Sequence, residues 1–409
     1  MKIGYICSDF DVPLYGEEGC SIHVRDFVDA LVEEGHDVFV ACAAAGEASD
    51  PPVRARVYEL QPDGIATRAW QLLDDEDAIT YNHLERDLRL VLYNAWLAGE
   101  GGDVVRRERP DFLYERYALF GHGGLSLARA LGIPHLLEVN APLTVEQAGY
   151  KRFRLTTLAA RMESELLAAS DRVIVVSEWL REWALGVGAD ADRLEVVPNA
   201  VSRPLFESLP AREVSRERLG IDGTRTVGFV GSFQPWHDVG GLLRAFRQLH
   251  EQDPGLRLLL VGAGRDGSAV RSATEELGIA EAVHSVGHLP HEAVPEALAA
   301  MDVAVAPYNG GEELGFLPLK LFEYMASGRP VVAANVGRIA DLVEHGRTGL
   351  LYRPGDEDEL ASALRTVLYD GVAGDELGRA ARDKVLRDHT WNGVARRVVE
   401  MAEAAAAAR

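Results

Sequence analysis

Short runs of consecutive apolar residues recur along this chain, each separated from the next by a helical pattern, and the alternation occurs twice. In the first half the runs are Ile3–Ser8, the stretch after Gly35 that ends at Ala41, Phe112–Tyr114, His135–Val139 and Arg172–Val176. In the second half they are Val227–Gly231, Arg257–Val261, Val283–Val286, Val303–Ala306 and Val331–Ala334. Strands joined through helices pair in parallel, and a parallel sheet is covered on both faces, so its strands read apolar throughout. The fold class is therefore α/β, with two doubly wound halves. A chain of 409 residues, 47% of them hydrophobic, is ample for two cores. The expected boundaries are 1–200 for the first domain, 201–222 for a linker containing Pro204 and Pro210, and 223–388 for the second domain. Residues 389–409 hold a final helix, Trp391–Ala407, placed to pack back on the first domain. Residues 66–109, with Trp70, Leu84, Leu88 and Tyr93 as apolar positions, read as outer helices.

Lys plus Arg is 42 against 64 Asp plus Glu, a formal charge of −22. Such a surface repels phosphate backbones and anionic lipid, which excludes nucleic-acid binding and electrostatic membrane docking as main functions. No apolar run approaches the ~20 residues a membrane helix needs. Met1–Cys7 runs straight into a strand, without a signal-peptide pattern. Cys7, Cys20 and Cys42 read as reduced thiols, and a cytoplasmic location is expected. His250, His284, His288 and His291 are scattered, and no Asp-x-Asp stands where it would hold a nucleotide-bound divalent ion, so no metal site is expected.

The densest chemistry lies in Gly315-Phe-Leu-Pro-Leu-Lys-Leu-Phe-Glu-Tyr-Met-Ala-Ser-Gly-Arg-Pro-Val-Val-Ala. A helix enters through Gly-Phe-Leu-Pro, stops at Gly328-Arg-Pro330 and is followed by a buried strand. Lys320 and Glu323 share one helix face. A helix N-terminus offers unpaired N–H groups and a positive dipole end, which suit a diphosphate. A carboxylate a turn further in can accept hydrogen bonds from a ribose diol.

This segment, with Gly231-Ser-Phe-Gln-Pro-Trp-His237, Val175-Val-Ser177, Val197-Pro-Asn-Ala200, Gly346-Arg-Thr-Gly349 and Thr390-Trp391, resembles family 4 retaining glycosyltransferases, and the resemblance covers most of the chain. It implies the GT-B fold, two Rossmann-like domains facing each other across a cleft, the first for the acceptor and the second for the nucleotide. It implies a UDP- or GDP-linked sugar as co-substrate, no other cofactor, no metal, and a small-molecule, lipid or saccharide acceptor, as in natural-product or polysaccharide biosynthesis. By resemblance Glu323 grips the ribose, Lys320 neutralises donor phosphate, and amides of Gly315, Phe316 and Leu317 meet the distal phosphate or the sugar. Gly231, Ser232 and Gly262 flank the diphosphate, while His288 and Leu289 lie where backbone groups meet the base. Gly16 and Gly19, in the loop after the first strand, approach the donor or simply make a turn with positive φ.

The departures from the family pattern are specific. Gly315 occupies the position of the first of two motif glutamates, with Glu312 and Glu313 nearby. Ser232 and His237 stand where an Arg and a Lys usually meet the diphosphate. His237 is expected to hold phosphate through a neutral or protonated imidazole, helped by a helix dipole starting near Asp238. Leu137-Glu-Val-Asn-Ala-Pro142 replaces a histidine-bearing stretch, making Glu138 and Asn140 site candidates. Glu138 either orients or deprotonates the acceptor or is a structural carboxylate; Asn140 can bond a sugar hydroxyl. Glu115 and Arg116, in Tyr114-Glu-Arg-Tyr117, are acceptor-side candidates. The replacements keep open an alternative, a catalytically altered protein that binds a nucleotide sugar or supports a partner. Gly262-Ala-Gly-Arg-Asp-Gly267 matches G-x-G-x-x-G, but follows the second strand of its domain and lacks the ribose-gripping acid after the next one, which argues against a dinucleotide. Base, sugar, acceptor and oligomeric state stay open.

Overall fold

The computed structural model describes residues 1–47, 52–62, 84–149, 154–221, 225–262, 267–310 and 317–409. The chain divides into two compact units, Met1–Pro198 with Asn392–Arg409, and Asn199–Trp391.

The first unit is built on seven parallel strands: β1 (Lys2–Cys7), β2 (Asp37–Cys42), β3 (Arg56–Glu59), β4 (Phe112–Arg116), β5 (His135–Val139), β6 (Arg172–Val175) and β7 (Leu194–Val196). Their order is β3-β2-β1-β4-β5-β6-β7. Chain direction across the sheet reverses between β1 and β4, and ligands of such sheets bind beyond the carboxyl ends of strands at that point. The register pairs Cys7 with Arg116, and Arg116 with Glu138, so charged residues meet at those ends. Below them the strands are apolar and sealed: Ile3, Tyr5, Phe112, Leu136 and Leu137 are fully buried.

The second unit holds β8 (Arg225–Val230), β9 (Leu256–Val261), β10 (Val283–Gly287), β11 (Val303–Ala306), β12 (Val331–Ala334) and β13 (Leu350–Tyr352), all parallel, in the order β10-β9-β8-β11-β12-β13. Leu258–Leu260, Val303–Ala306 and Val331–Ala334 are completely buried. Each large side chain so buried contributes ~1.5–3 kcal/mol relative to exposure. The switch point falls between β8 and β11.

The sequence pattern shows ten of the thirteen strands. β3 carries Arg-Val-Tyr-Glu with both ends exposed, and β7 and β13 are three residues each; edge strands this short have no apolar run to read. The stretch expected to be a linker contains two helices, Arg203–Phe206 and Arg212–Leu219. Both belong to the second unit: Phe206 is fully buried, and Arg212 and Arg216 bond Asp302 at the amino end of β11. Their short length and scattered charges hide the pattern. The polar Leu84–Ala98 helix is more than an outer covering, because Leu90, Tyr93 and Leu97 are buried against the first core; Trp70 lies outside the described residues. From Asn392 onward the Trp391–Ala407 helix belongs to the first unit, where Asn392 and Arg396 bond Glu34 and Arg397 bonds Glu195.

Candidate functional site

Three glycines end three adjacent strands of the second unit. Gly231, Gly262 and Gly287 have φ of 146°, 133° and 73°, a region that L side chains avoid. Gly231 N donates to Val261 O and Gly262 N to Gly287 O, so the backbones close on one another. A Cβ on Gly262 would overlap Gly231 O, and one on Gly231 would overlap Lys320 Nζ. Gly231 and Gly262 are needed for space as well as for φ, and Gly287 for φ alone.

Above them stands the Leu319–Ala326 helix. Leu321, Phe322, Tyr324, Met325 and Ala326 are buried, leaving half-buried Lys320 and Glu323 on the other face. Its N-cap is Pro318, with no side chain accepting from the first turn. Gly328, at φ 72°, stops the helix. Tyr324 OH accepts from Val230 N (2.8 Å) and donates to Val230 O (2.9 Å), fixing the end of β8 next to Gly231. Asn199, 7% exposed, donates to Leu317 O at 3.0 Å and holds the approach to the helix.

Lys320 Nζ lies 3.0 Å from His237 Nε2, and His237 Nδ1 donates to Ser232 O at 2.6 Å. That donation assigns the proton to Nδ1, so Nε2 accepts from the lysine. Burial, then the nearby Lys320, push the His237 imidazolium down to about 3. Both ring nitrogens of His237 are thus engaged, one with Ser232 O and one with Lys320 Nζ, and the ring supports the lysine. The helix dipole near Asp238 is also committed: the Asp238 carboxylate caps its own helix through Gly241 N, 2.8 Å. Lys320 Nζ rests 4.7 Å over the Phe229 ring and 5.8 Å over Tyr308. Burial lowers its ammonium to about 7, against the opposing pull of Glu323.

Glu323 Oε1 is 2.6 Å from His291 Nε2. His291 leads the short turn after β10, a role no sequence motif signalled. Leu317 is buried, Leu289 packs against the core and His288 is exposed. Gly315 and Phe316, with Glu312 and Glu313, lie outside the described residues. A cation, a carboxylate, an uncapped helix start and three close-packed glycine turns therefore lie together. Such a set can receive a diphosphate and a diol.

In the first unit, Glu138 Oε1 is 2.7 Å from His23 Nε2 and its Oε2 is 3.5 Å from Arg116. All three are buried, at 3%, 3% and 9% exposure. Burial raises the Glu138 carboxyl, but His23 and Arg116 outweigh it and hold it near about 2. A carboxylate so stabilised is a poor proton acceptor, which removes the acceptor-deprotonating role. The Tyr5 and Tyr114 hydroxyls lie beside Arg116 and Glu138, and Arg116 Nη1, Glu138 Oε2 and Asn140 Nδ2 are buried with no hydrogen-bond partner among the described residues. Glu115 points the other way, as adjacent strand residues must. It accepts from Gly124 N (3.1 Å) and meets His135 Nε2 (2.8 Å) at 1% exposure. Its acceptor-side expectation is replaced by a structural role at the start of the Gly123–Leu131 helix. Gly16 is kept by space, not by positive φ, since a Cβ would strike Ser21 and Pro13. Gly19 is the first residue of the Gly19–Glu33 helix. The surface depression lined by Lys2, Asp103, Arg106, Arg107, Glu108 and Arg109 is at the amino ends of β1 and β4, away from these groups.

Two parallel α/β units, one ending in a diphosphate-ready cluster, are the architecture of GT-B glycosyltransferases. The chain belongs to the glycosyltransferase family: residues 18–200 match the glycosyl transferase 4-like domain and residues 224–370 match glycosyl transferases group 1. It is 33% identical over 377 residues to a D-inositol 3-phosphate glycosyltransferase of Nocardia farcinica (strain IFM 10152), covering 86% of this chain and 77% of that one. It is 26% identical over 392 residues to a glycogen synthase of Mycobacterium tuberculosis (strain ATCC 25618 / H37Rv), covering 92% and 89%. Among solved structures, Anabaena HepE in complex with UDP and glucose superposes with a TM-score of 0.72 at 19% identity, covering 99% of this chain and 100% of that one. The protein is accordingly a glycosyltransferase. Among the described residues no helix is long and apolar enough to cross a membrane, and no cluster of three His, Cys, Asp or Glu could hold a metal ion.

Proposed function

We propose that the protein is a retaining, metal-independent hexosyltransferase that takes its sugar from a UDP- or GDP-linked donor. The observation that carries the reading is the placement of Lys320 and Glu323 on one face of an uncapped helix, beside Gly231 and Gly262. Lys320 and the helix amides meet the diphosphate, whose charge grows as the glycosidic bond breaks. Glu323 takes the ribose diol. The UDP in the HepE complex supports testing UDP donors first. The acceptor is a small polar molecule, a lipid-linked group or a saccharide, and the unpartnered polar atoms around Arg116, Glu138 and Asn140 suit its hydroxyls. The departing phosphate oxygen takes the acceptor proton during front-side attack, a route that needs no side-chain base. The free thiols Cys7, Cys20 and Cys42 suit a reducing cytoplasm.

Purified protein is to be screened by thermal shift with UDP, GDP, ADP, dTDP and NAD, and the nucleotide that binds carried as its glucose, galactose, mannose and N-acetylglucosamine derivatives into an acceptor panel with and without EDTA. Transfer with retained anomeric configuration, unchanged by EDTA, is the expected result. Binding of NAD alone, an inverted product, or activity lost with EDTA overturns the corresponding part of the reading.

A further inference from the structure

Lys320 is half-buried, and no carboxylate lies within salt-bridge distance of it among the described residues. The contrast with other lysines is direct. The chain has four, Lys2, Lys151, Lys320 and Lys384; Lys2 pairs with Glu108 at 2.6 Å and Lys384 with Glu344 at 2.7 Å, while Lys151 lies outside the described residues. The polar partner of Lys320 is instead the neutral His237 ring. Aromatic faces of Phe229 and Tyr308 line its other sides, and the missing Cβ of Gly231 leaves room for Nζ.

Among the described residues, the groups facing this amine are few. Glu323 is on its own helix and engaged with His291. His237 approaches from the loop after β8 with its Nδ1 proton committed to Ser232 O. Tyr308 follows β11, its phenol pushed up by burial and so neutral. Asp238, next to His237, is turned to its own helix. With no anion in contact among the described residues, burial favours loss of the lysine proton, and an arriving anion reverses that preference.

We propose that Lys320 is a proton-gated clamp for the donor diphosphate, taking up a proton from solvent as the anion binds, and that His237 is its positioning residue, holding the ammonium beside Gly231. This rests on the donor reading above. Its lowered proton affinity, with a midpoint at about 7, places the change within the working range of a cell. Of the three N–H bonds the protonated clamp has, one is spent on His237 Nε2 and two are left for phosphate oxygens. His237 contributes by geometry and needs no charge of its own. Donor affinity then falls as pH rises above 7, by up to about tenfold per unit until the bound-state midpoint is passed.

Calorimetry of UDP binding in buffers of different ionisation enthalpy reads the proton directly. Wild-type protein is expected to take up about half a proton at pH 7 and close to one at pH 8.5. Lys320→Arg, permanently charged, is expected to take up none and to show flat affinity over this range. His237→Phe removes the acceptor and is expected to weaken UDP about tenfold at pH 8, with uptake displaced to lower pH. His237→Gln, which can still accept from Nζ, is expected to restore most of the affinity. UDP binding without proton uptake, or a His237→Phe profile identical to wild type, overturns the clamp while leaving the donor site standing. If neither UDP, GDP, ADP nor dTDP binds, the donor reading fails and the clamp with it. Should the variants not fold, NMR of isotope-labelled lysine in the ligand-free wild type decides alone: a resonance titrating near neutral pH supports the proposal, and all four lysines titrating above about pH 9.5 refute it.

Discussion

His291 Nε2 lies 2.6 Å from Glu323 Oε1, with both side chains largely buried. The contact joins the turn after β10 to the helix after β11 and sets the rotamer of the carboxylate before any ligand arrives. One carboxylate oxygen is thereby used, and among the described residues the other stays available for a diol. Glu323→Ala is expected to weaken nucleotide binding by about 1.5–3 kcal/mol, the range of hydrogen bonds to a charged group. His291→Ala, which only frees the rotamer, is expected to cost about tenfold or less in affinity. Calorimetry with the matched nucleotide checks both, and an unchanged Glu323→Ala affinity would remove the ribose assignment.

Tyr324 bonds both backbone groups of Val230. Tyr324→Phe leaves a buried donor and acceptor unpaired, and is expected to lower stability by about 1–3 kcal/mol. Urea denaturation measures the loss; a difference under about 0.5 kcal/mol would mean that β8 ends equally well without the clamp.

Gly231→Ala combines a strained φ with overlap of its new Cβ on Lys320 Nζ. Donor affinity is expected to fall at least about tenfold, with a fold retained by circular dichroism. Wild-type affinity in this variant would show that neither the turn nor the lysine position matters for the donor.

Glu138 is a carboxylate whose folded-state affinity for protons is depressed. It therefore contributes stability above the unfolded carboxyl range, and this is lost as pH falls toward about 2. Glu138→Gln leaves Arg116 and His23 without their anion, and is expected to cost about 3–5 kcal/mol near neutral pH. The deficit should shrink on acidification through the range between 4.5 and 2. Denaturation midpoints of both proteins from pH 7 down to 3 test this; a deficit that grows on acidification would contradict the ion-pair account.

Lys320 has the opposite sign. Its folded midpoint is about 7 against 10.5 in a free chain, so the unfolded state binds more protons between those values and stability rises with pH across that window. Lys320→Met is expected to be more stable than wild type at pH 6–7, by roughly 2 kcal/mol once solvent screening of a half-buried chain is allowed for. The advantage should fade as pH rises toward 10. Melting temperatures at pH 6.5 and 9 compare the two, and a less stable Lys320→Met at pH 6.5 would show that burial does not disfavour the ammonium.

What could be read beforehand depended on how local each signal was. Val303–Ala306 and Val331–Ala334 are continuous apolar runs, legible because a strand in the middle of a parallel sheet is buried on both faces. β7 and β13 are too short to show any period. Arg203–Phe206 and Arg212–Leu219 were hidden because their packing partners, including Asp302, are far away in sequence. Lys320 and Glu323 stood out through helical spacing and motif, whereas His291 had neither, being brought to Glu323 across 32 positions by a turn.

The sequence by itself determined the α/β class, the two parallel sheets, the glycines at strand ends and the helix that presents Lys320 and Glu323, because periodicity, turn chemistry and motif are properties of neighbouring residues. Tertiary structure decided which way each candidate faces and what charge it carries. Glu115 and Arg116 are adjacent, yet β4 sends one into the start of a helix and the other toward Glu138. His237 reads as a phosphate-holding imidazole of either charge, and the fold then gives its Nδ1 proton to Ser232 O and its Nε2 lone pair to Lys320. Orientation and protonation are set by groups distant in the chain, brought within 3 Å of one another by folding, and no local pattern encodes that proximity.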